Sequence, residues 1–290
     1  VAGQVSYKFS WRPLPARGEE ENLDLGLSNA TALVTGGTQG MGRATAEFFA
    51  RDGARVAVFA RSSDGLAETE KALRRLGSPD AVGIQVDVTN PASVREGFST
   101  ISERWGSLNA FVNTIGPGVT GSIDELTEEQ WKESFELGTM SAVRCVREAL
   151  PLLRKADWAR IVFVSAHSTK RQTPSLVSYT AAKSALTSIS KNLSRTLAPD
   201  GILVNTVSPG TFLTGGVRRW LEGMAVERGV DPNSLEDLNR IIAEDFGEPC
   251  DLGRAGLPDE IGAVIAFLSS RTNSYMTGAN VNVDGGSDFA

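Results

Sequence analysis

From Ala30 onward, short apolar runs bounded by Gly, Asn or Asp alternate with longer stretches in which apolar residues recur at helical spacing. The runs predict strands at Ala32–Thr35, Val56–Ala60, Ala81–Val86, Ala110–Asn113, Ile161–Ser165, Leu203–Val207 and Asn280–Val283. Several are continuous in Val, Ile and Leu, as expected of strands covered on both faces in a parallel sheet. The periodic stretches predict helices at Gly42–Asp52, Leu66–Leu76, Pro91–Trp105, Glu128–Leu153, Val177–Leu197 and Asp259–Ser269. This alternation predicts a single α/β domain with a doubly wound parallel sheet. From Thr211 to about Arg254 the rhythm breaks: two helical segments, Val217–Arg228 and Ser234–Phe246, stand with no strand between them. An insertion of that length after a strand predicts a helical lid. Residues 1–28 hold Trp11, Arg12, Pro13 and Pro15, then Glu19, Glu20, Glu21 and Asp24, and read as an N-terminal extension to a domain of residues 29–290.

Composition narrows the partners. The chain of 290 residues carries 29 Lys+Arg against 35 Asp+Glu, a net charge of −6. That balance, with scattered basic residues, gives no field for nucleic acid or an anionic membrane. No stretch approaches the ~20 apolar residues of a membrane span, and Val1 to Ser28 lacks the basic start and apolar run of a secretory signal, so a cytoplasmic location is expected. Cys145 and Cys250 form neither a metal-ligand spacing nor a disulfide framework, and with His167 as the sole histidine no metal site is expected.

The first strand runs into Thr35-Gly36-Gly37-Thr38-Gln39-Gly40-Met41-Gly42, which opens a helix. Glycines in that place let the backbone turn tightly and bring a diphosphate against the free amides and positive dipole of the helix N-terminus. Far downstream, Tyr179 and Lys183 lie four residues apart on one helix face. Thr-Gly-x-x-x-Gly-x-Gly followed by Tyr-x-x-x-Lys resembles the short-chain dehydrogenase/reductase family and its 3-oxoacyl-carrier-protein reductase-like members. The resemblance extends over Ser28 to Gly286 and includes Asp87-Val88, Asn113-Thr114-Ile115-Gly116, Asn205-Thr206-Val207-Ser208-Pro209-Gly210 and Val283-Asp284-Gly285-Gly286.

The resemblance implies a Rossmann-like domain that binds a nicotinamide dinucleotide and moves a hydride between it and a small-molecule carbonyl or alcohol. Gly36, Thr38, Gln39, Gly40, Met41 and Gly42 would cradle the diphosphate, and Asp87 and Val88 would flank the adenine. Asn113 and Gly116 would lie beneath the cofactor. Pro209, Gly210, Phe212 and Thr214 would approach the nicotinamide, with Thr214 on its carboxamide. Tyr179 would be the general acid/base, and Lys183 would hold the nicotinamide ribose. An ammonium ~4 Å from the phenol contributes about 4 kcal/mol at an effective dielectric of ~20, which would bring Tyr179 from ~10 towards ~7. The family often forms tetramers, so the resemblance implies a homo-oligomer, tetramer or dimer, for which the layer around Glu128–Leu153 and Val177–Leu197 could serve as interface.

Two positions depart from the family. Counting from Trp131 puts Gly138 where the catalytic asparagine belongs, and counting back from Tyr179 puts Ala166 at the serine. If the segment stays extended, Ser168 shares the side of Ala166 and is the substitute donor, with His167 the other candidate. At the end of the second strand, where an acid would hold the adenosine ribose, stand Ala60, Arg61, Ser62 and Ser63. A guanidinium and hydroxyls suit a 2′-phosphate, so NADP(H) is favoured, with NAD(H) the alternative. The substrate pocket is expected between the Gly116-Pro117-Gly118 loop, the Ser165–Leu176 segment and the lid, with Trp220, Leu221, Met224 and Phe246 as apolar surface. Because Gly138 and Ala166 replace the asparagine and serine, two other readings stand beside carbonyl chemistry: reduction of an activated C=C bond, and a non-catalytic dinucleotide-binding regulator.

Overall fold

The computed structural model describes residues 24–245 and 250–287. Seven parallel strands form one sheet: β1 (Thr31–Thr35), β2 (Arg55–Ala60), β3 (Ala81–Gln85), β4 (Ala110–Asn113), β5 (Ala159–Val164), β6 (Ile202–Pro209) and β7 (Asn280–Val283), in the spatial order β3-β2-β1-β4-β5-β6-β7. The order reverses between β1 and β4, which opens a crevice at the carboxyl ends of those two strands.

Helices cover both faces: α1 (Gly40–Arg51), α2 (Asp64–Arg75), α3 (Pro91–Trp105), α4 (Glu128–Phe135), α5 (Ser141–Leu153), α6 (Val177–Thr196), then α7 (Gly215–Glu227), α8 (Leu235–Asp245) and α9 (Pro258–Leu268). Successive residues of the central strands go to opposite cores. Ala32 and Val34 pack with Phe49 of α1 and Ile261 and Ile265 of α9. Leu33, between them, joins the other core with Phe98 of α3, Val146 of α5 and Leu186 of α6. Both faces of a strand therefore demand apolar residues, which is why the runs are continuous. In the second core Phe98 meets Phe59 and Phe111 edge-on, with centroids 5.3 and 6.3 Å away.

The predicted strands and helices are present, with ends shifted by a residue or two. One helix differs in kind. The stretch Glu128–Leu153 is α4 and α5 joined by a π-helical turn, Glu136–Met140, with Gly138 at its centre. A π-turn inserts a residue into the helix and is a frequent mark of a functional position. At the other end of the chain, Leu25 and Leu27 belong to the first core, and the Leu27 amide donates to Asp52 Oδ2 at 3.0 Å. The packed domain thus reaches back at least to Leu25, ahead of the Ser28 boundary; Trp11 and the acidic run lie outside the described residues.

The lid has a core of its own. Leu221 and Ala225 of α7 pack against Leu238, Ile241 and Ile242 of α8. Leu221 is therefore consumed inside the lid and is not pocket surface, because two short amphipathic helices can bury their apolar stripes only against each other. Met224 packs against the same cluster, Trp220 is about half exposed, and Phe246 lies outside the described residues. Arg254 fastens the lid's return to the helix beyond it through Glu260, with bonds of 2.8 and 2.6 Å.

Candidate active site

β1 ends against a turn that only glycine can make. Gly36 and Gly40 have φ of +70° and +55°, a region that disfavours side chains. A Cβ on Gly36 would lie 2.8 Å from Thr114 Oγ1, and one on Gly42 would lie 2.5 Å from the Gly36 carbonyl oxygen. Thr114 Oγ1 donates to the Thr35 carbonyl at 2.6 Å and so braces the turn from β4. The N-cap of α1, Gln39, makes no side-chain cap bond, so the first-turn amides remain open to an anion.

These groups open on a cleft of about 940 Å³. It brings together Gly36, Thr38, Gln39, Gly40, Met41, Gly42, Arg61, Ser62, Val88, Gly116 and Thr214 from the expected cofactor residues. Ala60 of the ribose position also lines it, with Gly65, Val86, Thr114, Ile115, Leu137, Gly215 and Gly216, to which the sequence assigned no role. Thr114 and Ile115 lay inside the Asn113–Gly116 motif and were findable there. Leu137 enters through the π-turn, which the sequence did not predict. Asn113 is fully buried: its Oδ1 accepts from Thr35 Oγ1 at 2.9 Å, while its Nδ2 has no hydrogen-bond partner among the described residues. A glycine cradle, an uncapped helix end and an unmet buried donor at the switch point fit a nicotinamide dinucleotide.

Asp87, Pro209, Gly210 and Phe212 stand outside the cleft lining, as do Asn113, Tyr179 and Lys183. Asp87 is exposed, and its carboxylate accepts from Thr89 Oγ1 and N at 2.7 and 2.9 Å; those bonds, with Arg61 and Arg144 nearby, hold it below the usual carboxylate range. Asn90 caps α3. Pro209 closes β6 with its carbonyl on His167 Nδ1 at 3.0 Å. Gly210 donates to Val283 O at 3.0 Å, where a Cβ would press on Asp284 Cα at 2.8 Å. Phe212 is buried in the first core and stacked against Gly256, away from the cleft lining, because a large ring gains more from that core than from a wet crevice.

Tyr179 and Lys183 share a face of α6. Lys183 is 2% exposed, and its Nζ donates to Val164 O at 2.7 Å and Ile115 O at 3.2 Å. Burial pushes this ammonium down to about 8. Burial pushes the Tyr179 phenol up to about 12, which corrects the expected fall towards neutrality. Loss of hydration dominates at the phenol, and the ammonium directs its hydrogen bonds at backbone carbonyls.

Around them the two departures take physical form. Ala166 is extended, but His167–Thr169 is a 3-10 turn, so the alternation that would put Ser168 on the side of Ala166 does not hold. Ser168 is 1% exposed and accepts from Thr180 Oγ1 at 3.2 Å. Ser165 faces α6, bonded to Thr187 Oγ1 at 2.8 Å. Gly138 is buried where a Cβ would lie 2.8 Å from Ala182 Cβ and 3.1 Å from Pro117 Cδ.

A family described as enoyl-(acyl carrier protein) reductase matches residues 36–288. The chain is 29% identical to the 3-oxoacyl-(acyl-carrier-protein) reductase of Vibrio cholerae over 90% of its length and 98% of that protein. The structure of L-sorbose reductase from Gluconobacter frateurii, complexed with NADPH and L-sorbose, superposes with a TM-score of 0.86 at 28% identity, covering 92% of this chain and all of that one. A short-chain oxidoreductase from Pseudomonas aeruginosa PAO1, described as containing an atypical catalytic center, superposes with a TM-score of 0.84 at 31% identity, covering 91% and 99%. Among the described residues no helix is long and apolar enough to cross a membrane. Strand order, motif order and these alignments agree: the chain belongs to the short-chain dehydrogenase/reductase family and is an NAD(P)-dependent oxidoreductase.

Proposed function

We propose that the protein is an NADP(H)-dependent reductase of a small-molecule carbonyl, with Tyr179 as its proton donor. The observation that carries this reading is Tyr179 one helical turn from buried Lys183, with Lys183 bonded to Ile115 in the wall of a glycine-cradled cleft. When bound, the reduced dinucleotide supplies the hydride. Tyr179 Oη gives its proton to the carbonyl oxygen as that oxygen gains charge, leaving an alcohol and a phenolate that solvent reprotonates. A phenol held up at about 12 stays protonated through the neutral range, which suits the acid of a reduction better than the base of an oxidation. Lys183, fixed by Val164 and Ile115, would hold the nicotinamide ribose and stabilise the phenolate while it exists.

Arg61 and Ser62 line the cleft at the end of β2, where no carboxylate competes for the ribose, and this supports NADP(H) over NAD(H). A relative of 31% identity is described as containing an atypical catalytic center, a parallel for the departures at Gly138 and Ala166. Phe135 and Met140 leave apolar surface on the α4–α5 layer, which supports the expected homo-oligomer.

The test is titration with NADPH and NADH by nicotinamide fluorescence, then a panel of ketones and enones. Tight NADPH binding with ketone-dependent oxidation is the expected result. Oxidation by enones alone assigns C=C reduction, and binding without turnover assigns a regulator. The rate of reduction should fall above about pH 8, because Lys183 loses its charge there.

A further inference from the structure

Where the family's catalytic asparagine belongs, three separate segments of this chain meet with no room for one added carbon. The π-turn brings Gly138, α6 brings Ala182, and the loop after β4 brings Pro117. A Cβ at 138 would stand 2.8 Å from Ala182 Cβ, 3.1 Å from Pro117 Cδ and 3.3 Å from Pro117 Cγ. The loss of the asparagine is therefore paired with a proline ring that fills its space from a position distant in the chain.

The same loop touches Lys183 one residue earlier. A Cβ on Gly116 would lie 2.9 Å from Lys183 Cε and Nζ, so the backbone at Gly116 runs against the end of the lysine. The carbonyl before it, Ile115 O, accepts from Lys183 Nζ. A proline fixes its own φ and restricts the residue ahead of it to extended conformations. Pro117 therefore stiffens the stretch that carries the lysine's acceptor, while its ring lies beside Gly138 of the π-turn.

We propose that Pro117 is a positioning residue for Lys183: seated beside Gly138, it holds the Ile115–Gly116 backbone on the lysine. The inference rests on the reading of Tyr179 and Lys183 as the working pair.

The contact is tested first without cofactor, by thermal unfolding of Gly138→Ala, Pro117→Ala and the double variant. Gly138→Ala should lower Tm by about 3–8 °C, as for an overpacked site in a domain of this size. In the double variant much of that loss should disappear; strictly additive losses overturn the shared contact. The positioning role is tested by the pH dependence of NADPH binding, followed by nicotinamide fluorescence. In Pro117→Ala the alkaline weakening of binding should move upward by about one pH unit as water reaches Lys183. Weaker binding with an unmoved midpoint would mean a merely structural proline and overturns the proposal. Full turnover in Tyr179→Phe would defeat the catalytic reading alone, because the unfolding cycle and the binding profile need no turnover.

Discussion

The two ends of the one sheet treat their buried asparagines in opposite ways. At the carboxyl end, Asn113 Nδ2 is buried without a partner among the described residues, the N-terminus of α1 has no side-chain cap, and the Lys183 ammonium rests on two carbonyls. At the amino end the groups around Asn109 are matched. Asn109 Oδ1 accepts from the Thr31 amide at 3.0 Å and its Nδ2 donates to Trp158 O at 3.0 Å, while buried Arg160 donates to Asn273 O at 2.8 Å. A buried donor left unmet costs roughly 1–3 kcal/mol, so Asn113 gives up stability that Asn109 retains. Substitutions at the two ends should then separate, the first acting on binding and turnover and the second on unfolding.

The largest expected effect is that of Tyr179→Phe. Removing the phenol hydroxyl should lower the rate of carbonyl reduction roughly 10²–10⁴-fold while NADPH binding and Tm stay near the parent values. Turnover at the parent rate would show that the proton comes from another group. Next comes Gly42→Ala, whose methyl would land 2.5 Å from the Gly36 carbonyl oxygen and 2.7 Å from Thr114 Oγ1. The displaced turn should raise the Kd for NADPH by about 10–100-fold, read by fluorescence titration. An unchanged Kd would break the claim that this turn is the cradle.

Smaller again is Arg61→Ala. The side chain is exposed at the cleft edge, so its loss should weaken NADPH binding roughly tenfold and leave NADH binding unchanged. Equal weakening of both would place Arg61 away from a 2′-phosphate and remove the basis for the NADP(H) preference.

Much of this division is legible in the amino-acid sequence itself. Strands buried on both faces declare themselves as continuous apolar runs, and the Gly36–Gly42 turn and Tyr179–Lys183 pair are local motifs whose spacing survives folding. The rest depended on distance in space. The fate of Leu221 turned on α8 being there to receive it, and the shift of Tyr179 depended on burial, which a residue spacing does not report. The Ser168 expectation assumed a strand that in fact stops at Val164. Pro117, Gly138 and Ala182 look unrelated along the sequence; only the π-turn brings them together.

The smallest expected effect tests the amino end. Asp80 precedes β3 and binds Arg104 Nε and Nη2 at 2.7 and 2.6 Å, Trp105 Nε1 at 2.9 Å and Arg74 at 3.3 Å, joining α2, α3 and the sheet. The hydrogen bonds from Arg104, helped by that from Trp105 and by the charge of Arg74, hold its carboxyl down at about 2. Because the folded value lies below the unfolded one, the stabilisation is complete above about pH 4 and is lost as pH falls towards 2. Both arginines are well exposed, so solvent screening reduces the contribution to about 1 kcal/mol. Asp80→Asn should therefore lower Tm at pH 7 by about 2–4 °C, and the gap should close as the parent is acidified. NADPH affinity should not change, since no cleft residue touches this network; a variant that lost affinity instead would show that the two ends are coupled through the sheet and that binding and stability do not divide between them.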